Sequence, residues 1–178
     1  MSLRVAFAGA AAVAAMALLG GPPVSALGGP PVSGQVEISK QDKRFLRLAH
    51  RGNLAEIAAG KVARIKGADA AVRSIGAILV TDHTRLDKAV KEIAERLDVA
   101  LPDRAARKDR VMLRHISRLH GHRFDRAWLA AMIEGHRQAI RLGEQELRDG
   151  SSPAVKELAR AAAPVIRKHL DELLQAQK

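Results

Sequence analysis

Apolar positions recur at helical spacing through most of the chain. Phe45, Leu48, Ala49, Gly52, Ala59, Val62 and Ala63 form one such series, and Ser39 with Asp42 three residues later supplies a capping box at its start. The pattern predicts a first helix from Lys40 to Lys66. Gly67 ends it, Asp69 caps a second helix, and Val72, Ile75, Gly76, Leu79, Leu86, Val90, Ile93 and Leu97 trace the second stripe. Two long helices joined by so short a turn must lie antiparallel as neighbours.

Pro102 and Asp103 open a shorter segment in which Val111, Ile116 and Leu119 predict a helix to about His120, broken at Gly121. Asp125 is the expected cap of a further long helix, with Phe124 and Leu129 as a hydrophobic staple and Trp128, Met132, Ile140, Gly143 and Leu147 as its stripe. Asp149-Gly150 closes that helix, and Ser152-Pro153 gives an N-cap followed by proline at the first helical position. The last stripe is Val155, Leu158, Ala159, Ala162, Val165, Ile166 and Leu173. Pro164 inside it removes a donor from the carbonyl of Arg160 and predicts a kink. The sum is an all-α domain of two long antiparallel hairpins, with an accessory helix in a connection long enough to cross the bundle, as in folds of the ferritin type.

The first residues read differently. Arg4 precedes the uncharged stretch Val5 to Leu19, and "GGPPVSA" then sets small residues Val24 and Ala26 at the two cleavage-defining positions, the form of a secretory signal peptide ending at Ala26. The apolar run is shorter than the roughly 20 residues of a membrane-spanning helix, although its extension into Gly20 and Gly21 keeps an uncleaved anchor as the alternative. Residues 27–38 are rich in glycine and proline and read as a flexible tether, so residues 39–178 form the domain. The expected location is the exterior or the cell envelope.

Composition narrows the chemistry. Aromatic residues are 2% of the chain while hydrophobic residues are 47%, so the core must be Leu, Ile, Val and Ala, which favours packed helices over a sheet. With no cysteine, disulfides, thiolate chemistry and cysteine-ligated metal sites are excluded. The net charge of +11 raises the local concentration of anionic partners such as phospholipid headgroups, acidic wall polymers or nucleic acid. Yet the basic residues are spread along every helix and mixed with acids, as in "KAVKEIAERLD", the pattern of a solvated face.

Each long helix also carries one ionisable residue on the stripe that should be apolar: Glu56, His83, His136 and His169. Buried ionisable groups cost free energy unless partnered, so four of them need an explanation. A rise of 1.5 Å per residue puts all four near the middle of helices about 40 Å long, within roughly 11 Å of one another along the bundle axis if the connector crosses it.

The segments "QDKRFLRLAHRGNLAEIAAGKVARIKG", "GAILVTDHTRLDK", "LHGHRFDRAWLAAMIEGHRQAI" and "APVIRKHL" resemble a ferritin-like family of exported bacterial proteins, catalogued as a domain of unknown function and often labelled as outer-membrane or secreted. The likeness runs from Gln41 to Leu173. It implies a ferritin-like four-helix bundle with an accessory helix, with Glu56, Asp82-His83, His136, Pro164 and His169 on motif positions; it brings no known activity. Gly135 departs from the pattern, because the family tends to have an acid before that histidine.

Glu56, His83, His136 and His169 are therefore candidate ligands for a transition metal such as iron, zinc, copper or manganese, with Asp82 and Glu134 as candidates to orient them. The set lacks any Glu-x-x-His, which argues against the di-iron chemistry of ferritin-like enzymes. A polar network that sets helix register is the competing reading of the same residues. His115, His120 and His122 form a second group on an expected loop, read as solvent-exposed. The alternative function is a non-catalytic envelope protein that holds anionic lipid or wall polymer through its basic surface. Nucleic acid is disfavoured by the export segment and by the lack of a basic stripe with interleaved aromatics. Nucleophile elbows, Walker loops and dinucleotide fingerprints are missing, and the chain is not read as an enzyme.

Overall fold

Three of the five helix starts among the described residues follow side-chain acceptors that the sequence provides. The computed structural model describes residues 38–178, so the expected signal segment (1–26) and all but the last residue of the tether (27–38) lie outside the described residues. Within them are α1 (Lys40–Lys66), α2 (Ala70–Arg96), α3 (Arg107–Ile116), α4 (Gly121–Asp149) and α5 (Pro153–Ala176), with no strand among the described residues. The capping box of Ser39 and Asp42 starts α1, the Asp69 carboxylate accepts from the Ala71 N–H at 2.7 Å to start α2, and Ser152 followed by Pro153 starts α5. Helix α5 runs on through Pro164, whose ring is exposed, as is Arg160, so the carbonyl left without its donor lies on the solvent side.

The connector differs from the expectation. Helix α3 covers Arg107–Ile116 rather than reaching from Asp103 to His120, and α4 begins at Gly121 with His120 at the N-cap, not at Asp125. The reason is that both stretches are engaged elsewhere. The Asp125 carboxylate accepts from the N–H groups of Ala68 and Asp69 at 3.0 and 2.9 Å, clamping the α1–α2 turn, while Gly121 takes a φ of 57° and lets the chain enter α4 earlier, with the N-cap at His120. Ahead of α3, the carbonyls of Ala100 and Pro102 accept from Arg47 and His50 of α1, which keeps that stretch extended.

Helix α1 packs on α2 and α4, and α5 packs on α4 and α2. The α1–α2 turn meets the start of α4 through Asp125, whereas the start of α1 meets the α4–α5 turn through Asp42. The two turns thus lie at opposite ends, and the connector carrying α3 crosses the length of the bundle. Helices α1 and α2 approach closely at Gly60 and Gly76: a Cβ on Gly60 would come within 2.5 Å of the Gly76 carbonyl oxygen. No helix of the described residues is long and apolar enough to cross a membrane.

The apolar interior is in two parts. One cluster gathers Ala59, Ala63, Val72, Ile75, Leu79, Phe124, Trp128, Met132 and Leu173, and the other Phe45, Leu46, Val90, Ala94, Val155, Leu158 and Ala159. Between them, in the order of every long helix, come Glu56, His83, His136 and His169.

Asp42 is fully buried and accepts from Ser39 N–H and Oγ–H, Ser151 N–H and Oγ–H, and Ser152 N–H. Burial alone would raise its pKa, but the hydrogen bonds from Ser39, Glu146, Ser151 and Ser152 outweigh that and hold the carboxyl well below the usual range. A depressed folded pKa stabilises the protein above the unfolded carboxyl's pKa, and the contribution is lost as pH falls towards the folded value. Replacement of Asp42 by Ala strands those donors and is expected to cost about 2–4 kcal/mol in urea unfolding near neutral pH. Ser39→Ala, which removes a cap but leaves the carboxylate, should cost about 1 kcal/mol; equal losses in the two variants would mean that Asp42 acts as a local cap only.

Candidate metal centre

The polar layer is built by four helices. Glu56 and Asn53 come from α1, Asp82 and His83 from α2, His136 from α4 and His169 from α5. His83, His136 and His169 are at most 4% exposed, and their ring centroids lie 5.4–5.5 Å apart in all three pairs.

The hydrogen bonds assign each ring its tautomer. His83 Nδ1 lies 2.9 Å from Asn53 Oδ1, His136 Nδ1 2.9 Å from the Met132 carbonyl oxygen, and His169 Nε2 3.0 Å from Asp82 Oδ2. Each of these nitrogens faces an oxygen acceptor and so donates. The opposite nitrogens, His83 Nε2, His136 Nε2 and His169 Nδ1, are left with lone pairs. Those of His136 and His169 face each other at 3.4 Å, and His83 Nε2 is buried with no hydrogen-bond partner. One nitrogen from each ring can be chosen so that all three lie within 4.8 Å of one another.

Electrostatics favours neutral rings. Burial, then His136 and His169, push His83 down to about 3; burial, opposed by the Met132 carbonyl and assisted by His169, pushes His136 down to about 4. Both lone pairs are therefore available at neutral pH. Burial and then Asp109 push Glu56 up to about 8, so its carboxyl is protonated there. Its contact with His136 Nδ1 at 3.7 Å is too long for a hydrogen bond and, with both groups neutral, is not an ion pair.

Three of the four inner-face residues thus bring ligand atoms together, and the fourth stands beside them. Glu56 approaches His136 at Nδ1, the nitrogen already bonded to Met132, and does not join the mutual set; its Oε2 is buried without a partner. A Cβ at position 135 would sit 2.9 Å from Glu56 Oε1, so the Glu56 carboxyl crowds the place a side chain there would take. Asp82 holds His169, whereas Glu134 is exposed and bonded to Gln138 and Arg141 at 2.9 and 3.1 Å, away from the trio. His115, His120 and His122 are exposed.

The sequence pattern did not reveal Asn53, nor the buried pair of His50 Nδ1 and Asp87 Oδ1 at 2.6 Å, which Lys91 joins at 2.9 Å. The available signal was spacing: His50, Asn53 and Glu56 recur every three residues along α1 and widen its buried arc beyond the apolar stripe.

With five helices, this hairpin pairing and this polar layer, the chain defines an all-helical domain of a recognised family. It belongs to the family described as "Domain of unknown function (DUF4142)", whose profile matches residues 28–176. Among curated proteins no relative matches. Two solved structures share the fold. One is the crystal structure of a DUF305 fragment from Deinococcus radiodurans, 14% identical over 79% of this chain and 97% of that one, with a TM-score of 0.70. The other is CopM in its Cu(I)-bound form, 16% identical over 75% of this chain and 93% of that one, with a TM-score of 0.63. At these identities the likeness concerns the fold alone.

Raised carboxyls make stability fall with pH. Glu56 keeps its proton in the folded protein up to about 8 but only to 4.5 when unfolded, so the folded state binds more protons between those values and loses stability as pH rises through them. The imidazoles of His83 and His136 oppose this loss only while their unfolded forms still bind protons, an offset that fades as pH rises above 6.5. Glu146, raised to about 7 by burial and then by Asp42, adds to it at the lower end of that window. Metal-free protein should therefore show a thermal unfolding midpoint that drops from pH 6.5 to 8.5, and Glu56→Gln should flatten the drop. An equally steep drop in that variant would show that Glu56 is ionised in the folded state.

Proposed function

We propose that the protein binds a single transition-metal ion through His83, His136 and His169, with copper as the favoured metal. The observation that supports this is the convergence of three imidazoles, a nitrogen of each within 4.8 Å of the other two, with every ring also held by an oxygen acceptor, which is how metal-ligating histidines are oriented. An ion about 2.0–2.1 Å from each nitrogen sets tetrahedral ligand pairs about 3.4 Å apart. The His136–His169 pair already has that spacing, and His83 has to close the remaining gap.

Charge favours a monovalent ion. Imidazole ligands bring no charge to an ion, Glu56 is protonated at neutral pH, and Asp82 supplies one carboxylate behind His169, with the exposed Arg85 3.9 Å from its other oxygen. Cu(I) with Asp82 is a balanced pair in a buried site, whereas a divalent ion leaves one positive charge to be solvated. Imidazole also suits copper and zinc among the first-row metals. The Cu(I) of the structural neighbour belongs to that protein and adds to the reading only that this fold can hold such an ion.

The hairpin order and the crossing connector support assigning the bundle to the ferritin-like type. Together with the export segment expected from the sequence, the reading is of a metal-holding protein of the cell envelope or the exterior.

Protein purified without a histidine tag and loaded with Cu(I) or Zn(II) should retain about one ion per chain by elemental analysis, with Cu(I) held more tightly. The variant with His83, His136 and His169 all changed to Ala should lose it, while Glu56→Gln should keep it. Metal retained by the triple variant, or none taken up by the wild type, would overturn the proposal. Asp82→Asn, which keeps an acceptor near His169 but removes the charge, should weaken copper binding by about 10–100-fold.

A further inference from the structure

The cavity that reaches the histidine layer is far larger than an ion needs. Its volume is about 480 Å³, and its walls include Phe45, Leu86, Met112, Ile140, Leu142 and Leu158. That size falls within the roughly 300–1,000 Å³ of small-molecule sites. Leu48, which is 37% exposed, also lines it, and only one other large hydrophobic residue is exposed among the described residues. Glu56 and His83, each with a buried polar atom that has no partner, line it as well.

Basic residues outnumber acids at one side of this cavity, where Asp109 lines the wall between Lys108 and Arg110. Arg51 and Arg110 line both the cavity and an adjoining shallow dish formed by residues 102–107, where Arg104 and Arg107 join them against the single carboxylate of Asp103. Arg51 has no ion pair or hydrogen bond among the described residues, and Arg110 spends one nitrogen on the Ala105 carbonyl at 2.8 Å. An apolar chamber that shares two arginines with a cationic dish has the layout for a molecule with an apolar body and an anionic head.

We propose that the cavity and its arginine dish bind a single-chain anionic amphiphile of the fatty-carboxylate class, with the carboxylate on Arg51 and Arg110 and the chain lying in the cavity. The reverse pose would take the ligand's charge away from both arginines and into the buried polar layer. The inference does not rest on metal binding: His83 and His136 line the far end of the chamber, but the contacts it uses are the apolar walls and Arg51 and Arg110.

The test uses decanoate and, as its uncharged counterpart, decanol, each titrated calorimetrically into the protein. Decanoate is expected to saturate at one site per chain and to bind more tightly than decanol. Cavity-filling variants come from Gly52 and Gly143, which line the chamber and where an added Cβ would meet nothing within 4 Å. Gly143→Leu and Gly52→Leu should each weaken both ligands by roughly tenfold or more without lowering the unfolding temperature. Arg51→Glu combined with Arg110→Glu should weaken decanoate by roughly tenfold and leave decanol unchanged. The proposal is overturned by the absence of saturable decanoate binding or by affinities that ignore both cavity-filling changes. Equal effects of the arginine changes on the two ligands would overturn it too, as would adsorption to phosphatidylglycerol vesicles with no binding of free decanoate.

Discussion

Three imidazoles and a carboxyl in the middle of a helical bundle are the constraint around which the rest of the molecule is arranged. Buried polar groups that lack partners destabilise a fold, and the structure answers by keeping Glu56, His83 and His136 neutral and by fixing one nitrogen of every ring. Two of the fixing bonds join helices: Asn53 of α1 holds His83 of α2, and Asp82 of α2 holds His169 of α5, while His136 is held within α4 by the Met132 carbonyl. A slip of one turn, about 5.4 Å, between α2 and either partner would break such a bond inside the core. The polar layer therefore sets the register in which the two apolar clusters above and below it can close.

Outside that layer, each hairpin is pinned by a carboxylate of the other. Asp125 of the second hairpin accepts from the turn of the first, and Asp42 of the first accepts from the turn of the second. Main-chain N–H groups in turns are donors that must find an acceptor when buried, and supplying it from the opposite hairpin couples closing a turn to docking the pair. His50 extends the device to the connector, bonding Asp87 through one nitrogen and the Pro102 carbonyl through the other. The connector is thus anchored where it leaves the first hairpin, before it crosses to the start of α4.

The long helices were legible in the sequence because their ends are written locally: Ser39 with Asp42, Asp69, and Ser152-Pro153 all cap where expected. Asp125 misled because its side chain satisfies a distant turn, and nothing within a few residues of it signals that partner. The layer was legible as four polar intrusions on apolar stripes, and the helical rise set them at one level. Rotation about each helix axis was not legible, and it is rotation that gathers the three imidazoles while turning Glu56 to the Nδ1 side of His136 and Glu134 to solvent. Asn53 escaped notice because an asparagine on a helix is ordinarily a surface residue, and only the wide buried arc of α1 makes it a partner.

The trio has two unlike sides. His83 and His136 line the cavity and His169 does not, while Asp82, partly open to solvent, stands behind His169. An ion held by the three lone pairs would therefore have its charge balanced from the Asp82 side and would be approached by any further ligand from the cavity side, past Glu56. Glu56 is the residue that belongs to both features: it lies against a ring of the trio, and its unpaired oxygen belongs to a cavity-lining side chain. Its carboxyl lies in the space left by Gly135, so the glycine of α4 and the acid of α1 form one arrangement. Supplying the acid from across the interface adds a contact between α1 and α4 at the level of the polar layer, where the apolar packing is interrupted.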